Sequence, residues 1–140
     1  MPMPMPRLLE ERPECGARAG YVEPQSRHCY IPITEELSWF RARDLCVQRQ
    51  SHLASITKPE EQAFVASLPR SGPTWIGLSR FGTEGFSWIT GESVSFAAWG
   101  SGAPSARTEG GGMLREDMGT WLDAPPSEMH RGLCEREPGP

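Results

Sequence analysis

The stretch 74-TWIGLSRFGTEGFSWITG-91 decides how this chain is read. Trp75, Ile76, Phe86 and Trp88 stand among glycines, serines and threonines. The segments 75–78 and 86–89 read as short strands on either side of a Gly-bearing turn. Large apolar groups placed this way either line a ligand site or hold a small core together. Burying one such aromatic contributes a few kcal/mol, enough to explain its presence without a ligand.

Toward the N-terminus the pattern changes period. The segment 28-HCYIPI-33 alternates as a strand, and Pro32 marks an edge or an end. In 34-TEELSWFRARDLCVQRQ-50 the residues Trp39, Ala42 and Cys46 fall at i, i+3 and i+7, with Leu45 beside them. That spacing predicts one inward helical face, with the acidic Glu35 and Glu36 in the first turn. A short strand follows at 51–56. The segment 57-TKPEEQAFVASL-68 predicts a second helix, with Thr57 and Glu60 at capping-box spacing and Pro59 in the first turn. Phe64, with Val65 or Leu68, would face inward. Beyond residue 91, further short strands are expected at 113–115, 120–123 and 132–135. Between Trp99 and Met113 lies 100-GSGAPSARTEGGG-112, which has no period and predicts a long loop. Two helices followed by a strand-rich half make an α+β plan.

Composition narrows the function. The 140 residues carry a net charge of -4 with both signs mixed along the chain, which excludes a basic stripe for nucleic acid. Apolar runs are a few residues long, so no membrane insertion is expected. The segment 1–13, opening MPMPMP, reads as a Pro-rich linker or tail, without the apolar centre of an export signal. Residues 137–140 read as a second tail. The cysteines Cys15, Cys29, Cys46 and Cys134 are even in number and form no C-x-x-C, which favours two disulfides and an oxidising, extracellular compartment. Number alone allows three pairings. The three histidines look isolated and lack zinc-ligand spacing. No G-x-S-x-G or H-E-x-x-H occurs, and Gly110–Gly111–Gly112 lacks the Lys-Ser/Thr of a phosphate loop, so an enzyme is not expected.

These pieces, in this order, resemble the C-type lectin-like domain. The resemblance rests on Cys15, Cys29-Tyr30, Trp39-x-x-Ala42-x-x-x-Cys46, "HLASI" at 52–56, "WIGL" at 75–78 and "FSWITGE" at 86–92. It continues through Trp99, Trp121-x-Asp123 and "GLCE" at 132–135, and so covers residues 14–136. It implies two helices packed on small antiparallel sheets, a long loop region, and the disulfides Cys15–Cys29 and Cys46–Cys134. It also implies that Trp75, Ile76, Leu78 and Trp88 pack the core.

Sugar-binding members of that family hold calcium in the long loop with a Glu-Pro-Asn or Gln-Pro-Asp triplet, a further Glu and a Trp-Asn-Asp motif. Here the triplet reads Ala103-Pro104-Ser105 and the later motif Trp121-Leu122-Asp123. Only Asp123, with Glu109 as a distant second, remains as a candidate ligand. Calcium needs six to eight oxygens, so no metal or other cofactor is expected. The family's usual further disulfide falls near Gly112 and at Pro126, where neither residue is Cys, which implies a less constrained loop. The expected function is calcium-independent recognition by the long-loop face, of a protein ligand first and a glycan second. The candidate surface is Arg80, Phe81, Ala103, Pro104, Ser105, Arg107, Arg115, Met118 and Leu122. The alternatives are a calcium-dependent lectin with an altered site and a purely structural domain of a larger extracellular protein.

Overall fold

The computed structural model describes residues 20–82 and 84–138. The elements run β1 (Tyr21–Val22), β2 (Cys29–Leu37), α1 (Trp39–Gln48), β3 (His52–Leu53), α2 (Pro59–Ser67), β4 (Thr74–Phe81), β5 (Ser87–Trp88), β6 (Glu109–Leu114), β7 (Trp121–Ala124) and β8 (His130–Arg136). The strands join in one sheet, ordered β1-β2-β8-β4-β6-β7, with β3 added to β8 and β5 to β4. β8, late in the chain, lies mid-sheet, antiparallel to β2 and parallel to β4. The other pairings are antiparallel.

Alternation along the strands divides the core between two faces of the sheet. Ile31, Ile33, Trp75, Met113 and Cys134 pack with Trp39, Ala42 and Cys46 of α1. Tyr30, Ile76, Leu78, Leu114 and Leu133 pack with Val65 of α2 and with Trp88 and Trp121. Trp75, Ile76 and Leu78 are fully buried and Trp88 nearly so, which answers the question raised by the 74–91 stretch. The two buried indoles on the α1 side are hydrogen-bonded: Trp39 Nε1 donates to the Ile76 carbonyl at 2.9 Å and Trp75 Nε1 to that of Leu37 at 2.8 Å.

The helix starts differ from the sequence expectation. α1 begins at Trp39, because the Ser38 side chain accepts the Arg41 N–H at 3.1 Å and caps it there. Glu35 and Glu36 instead lie exposed on β2, whose pairing resumes at Leu37 opposite His130 after a register shift. α2 is capped at Lys58, so its third residue is Glu61 rather than Glu60. Glu61 Oε1 accepts the Thr57 N–H at 2.9 Å and the Thr57 hydroxyl at 3.3 Å, half of a capping box, and no side chain caps the helix N–H groups in return, so the box expected from Thr57 and Glu60 does not form.

β6 also begins earlier than expected. The segment 109–112, read as loop from its glycines, is strand, and Gly110 to Leu114 are buried. A Cβ on Gly111 would lie 2.7 Å from Trp39 Cδ1 and 2.8 Å from a ring carbon of Trp75. The glycine is there so that two indoles can close over the backbone. Cys46 and Cys134 form a disulfide that ties α1 to β8 across 88 positions. Cys29 is buried on β2, and its expected partner Cys15 lies outside the described residues, as does the 1–13 tail.

Candidate functional site

The long loop is built outward from β7. Trp121 is fully buried and meets Trp88, Trp99 and Phe96 edge-on, at ring separations of 5.2, 5.7 and 6.0 Å. Trp121 Nε1 donates to Gln62 on α2 at 2.9 Å. On this aromatic floor the loop is pinned by Gly100 N–H to the Trp121 carbonyl (2.8 Å) and Trp121 N–H to the Ala98 carbonyl (2.8 Å). The chain then turns through a cis Ala103–Pro104 peptide and delivers Ser105 to Asp123.

Asp123 is the centre of the site. Its side chain is 3 % exposed. Oδ1 accepts the Ser105 N–H at 2.8 Å, and Oδ2 accepts the Ser105 hydroxyl at 2.7 Å and Arg107 Nε at 3.1 Å. Arg107 Nε also lies 3.0 Å from Ser105 Oγ. Burial alone would raise the Asp123 pKa. The two Ser105 donors and the Arg107 guanidinium outweigh it and hold the carboxyl below its ordinary range. Arg107 reaches this position because its stem lies flat on β6: a Cβ on Gly110 would sit 3.0 Å from Arg107 Cδ. The carboxylate is therefore already neutralised by a cation from its own chain.

Those residues are a poor fit to calcium. The one carboxylate has its oxygens occupied, Ser105 Oγ is spent as a donor to it, and a guanidinium stands where another cation would be repelled. Leu122, beside Asp123, is half-buried and packs against the α1-side core. Glu109 is exposed and pairs with Phe81, three positions along β6 from Gly112, the partner of Asp123. It does not join the cluster.

The remaining surface candidates are spread out. Phe81 is 47 % exposed and packs on Phe40 and Trp39 beside α1, while the Arg80 guanidinium lies over Phe86. Arg115 and Met118 sit on the β6–β7 turn, Met118 being 67 % exposed. Ala103 is half-buried and Pro104 exposed, next to Ser105.

A second cluster was not expected. The donor atoms of His28, Glu61 and Glu135 lie within 4.8 Å of one another, a set able to hold a cation. His28 Nδ1 bonds Glu135 Oε2, and Glu135 Oε1 accepts the Ser55 N–H at 2.9 Å. The hydrogen bond that Glu135 accepts raises the His28 pKa against the opposing effect of burial, and burial together with the nearby carboxylates raises the pKa of the Tyr30 phenol. His52 meets Glu137 at 2.7 Å and His130 meets Glu128, two positions away, at 2.9 Å, so each of the three histidines has a carboxylate partner. No local spacing signals the pairs of His28 and His52, whose partners lie 107 and 85 positions away.

Known proteins share this fold. The family described as the Lectin C-type domain matches residues 35–136. The human low affinity immunoglobulin epsilon Fc receptor is 31% identical over 115 residues, covering 81% of this chain and 33% of the receptor. Mouse C-type lectin domain family 4 member F is 34% identical over 119 residues, covering 79% of this chain and 22% of the relative. The chain thus spans a third or less of these two relatives. Human lithostathine superposes with a TM-score of 0.79 at 26% identity, over 99% of this chain and 97% of that one. The cow carbohydrate-recognition domain of CD23, solved in the presence of a GlcNAc2Man3 oligosaccharide, gives 0.75 at 28% identity, over 89% and 97%.

Proposed function

The chain belongs to the C-type lectin domain family, and from that premise we propose that it is a calcium-independent recognition module that binds a protein through its long-loop face. The observation that carries this reading is the occupied Asp123 carboxylate, with Ser105 and Arg107 filling the place of metal coordination. The loop is held in shape by side-chain bonds and the aromatic floor, so its conformation does not wait on an ion. Arginines with exposed Phe and Met, here Arg80, Phe81, Arg107, Arg115 and Met118, are typical anchors of protein interfaces. Family membership and the disulfide favour extracellular recognition over catalysis, and no helix among the described residues is long and apolar enough to cross a membrane.

Thermal melts test the metal part. A site with a Kd of about 1 mM would add about 1.4 kcal/mol at about 10 mM calcium, a few degrees in a domain of this size. We expect less than about one degree between calcium and excess chelator. A rise of several degrees in calcium would overturn the reading. Glycan binding is the second reading, favoured by the likeness to a domain solved with an oligosaccharide. A glycan array run beside a cell-surface protein pull-down, both in chelator, separates the two.

A further inference from the structure

Side chains from β2, α2 and β8 converge on one face of the sheet, away from the long loop in sequence. Tyr30 stands opposite Glu135 in the β2–β8 pairing, so both side chains leave the sheet on the same side. Glu61 reaches them from the buried face of α2, one turn before Val65. His28 completes the group, its donor atom within 4.8 Å of those of Glu61 and Glu135. The two carboxylates are held alike. Glu61 Oε1 accepts the Thr57 N–H and Glu135 Oε1 accepts the Ser55 N–H, each at 2.9 Å. Glu135 Oε2 meets His28, while Glu61 Oε2 takes no hydrogen bond among the described residues. Glu61 is 6 % and Glu135 2 % exposed, yet among the described residues neither pairs with a lysine or arginine. Buried carboxylates are costly without a cation, and a single histidine faces two of them. The Tyr30 hydroxyl is also fully buried and bonds nothing among the described residues. Burial first, then the charges of Glu135 and Glu61, raise the pKa of its phenol, so the hydroxyl stands beside both carboxylates. An orphaned donor in such a place calls for a further acceptor, such as water on a bound ion.

We propose that His28, Glu61 and Glu135 bind a divalent transition-metal ion of the zinc type, through one ring nitrogen and one oxygen of each carboxylate. Three protein donors with nitrogen among them, and a fourth position left to water, suit zinc. Calcium takes six to eight oxygens, which this set does not supply. The Ser55 and Thr57 N–H groups are the outer partners that orient the two carboxylates. A His28 N–H bonds Glu135 Oε2, and the ion takes the place of that proton. The His28 side chain is 24 % exposed, which gives an ion a path from solvent. Once bound, the ion joins the start of β2 to α2 and β8, so what it supplies is stability, and its water gives the Tyr30 hydroxyl a partner.

The test is a thermal melt of the full chain, stripped with chelator and then given zinc, calcium or magnesium chloride at about pH 7.5. With a zinc Kd on the order of 10 μM, about 1 mM zinc should raise the melting temperature by roughly eight degrees. Calcium and magnesium should move it by less than about one degree. Glu61→Gln and His28→Gln should each lose most of the zinc rise. His52→Gln, which alters a histidine outside the cluster, should keep it. Should a ligand variant lose its fold, the wild type decides by amide-resolved NMR. Zinc should shift the His28, Tyr30 and Glu61 amides saturably at about one equivalent, and excess chelator should reverse the shifts. A calcium rise equal to that of zinc overturns the proposal. So does a zinc rise that survives both Glu61→Gln and His28→Gln, or the absence of a saturable response at these amides.

Discussion

Arg107→Gln would leave the Asp123 carboxylate buried beside two Ser105 donors with no cation against it. Arg107 is one-third exposed, which tempers the loss, so about 1–2 kcal/mol is expected in urea unfolding at pH 7. The Asp123 pKa is depressed in the folded state, so its stabilisation is present above the ordinary aspartate value and lost as pH falls through the folded one. The gap between wild type and variant should shrink as the pH is taken below that range; a gap constant with pH would show that Arg107 acts through packing alone. Gly111→Ala places a methyl group against two indoles and should cost about 1–3 kcal/mol, read from the same unfolding curves. The family resemblance singled out Ser105 and Arg107 as loop-face candidates and Asp123 as a weak candidate metal ligand. It did not show their mutual bonding, because 16 to 18 positions intervene and a side-chain bond across a loop leaves no periodic trace.

Among the elements, α1 was the most legible, since Trp39, Ala42 and Cys46 must share a face and do. The glycines of β6 misled, because glycine marks both a free turn and a place where side chains crowd the backbone, and only the indoles opposite decide which. Glu35 and Glu36 misled because acid suits a first helical turn, while Ser38 caps more strongly and the end of β2 still pairs. The bond from His28 to Glu135 joins the start of β2 to β8, with Glu61 of α2 adjacent. His28 has a raised folded pKa, so the stabilisation it gives is whole below the ordinary histidine value and is lost as pH rises through the folded one. His52, also raised and bonded to Glu137, acts in the same direction. Melting temperature should therefore decline from pH 6 to pH 8.5 by less in His28→Gln than in wild type. Parallel curves for the two proteins would remove His28 from the account.

For the whole molecule, the ordered series of Trp, Cys and Gly anchors was enough to give the architecture, because those residues fill the two faces of one sheet. The 88-position loop closed by Cys46–Cys134 should be worth about 4–5 kcal/mol, so Cys46→Ala with Cys134→Ala should lower the calorimetric melting temperature by more than about ten degrees. A fall of a degree or two would mean that the sheet alone sets the stability. The place of β8 between β2 and β4 has a further consequence, for biosynthesis. Ribosomes deliver a chain from its N-terminus, so the strand on which three others depend is the last of the domain's described strands to emerge. Until then the nascent polypeptide holds two unpaired sheet edges and a Cys46 thiol whose proper mate has not yet been made. By topology the sheet of this domain closes only after β8 has left the ribosome, and a ribosome stalled some ten codons short of Arg136 should leave a substrate for chaperones and disulfide isomerases.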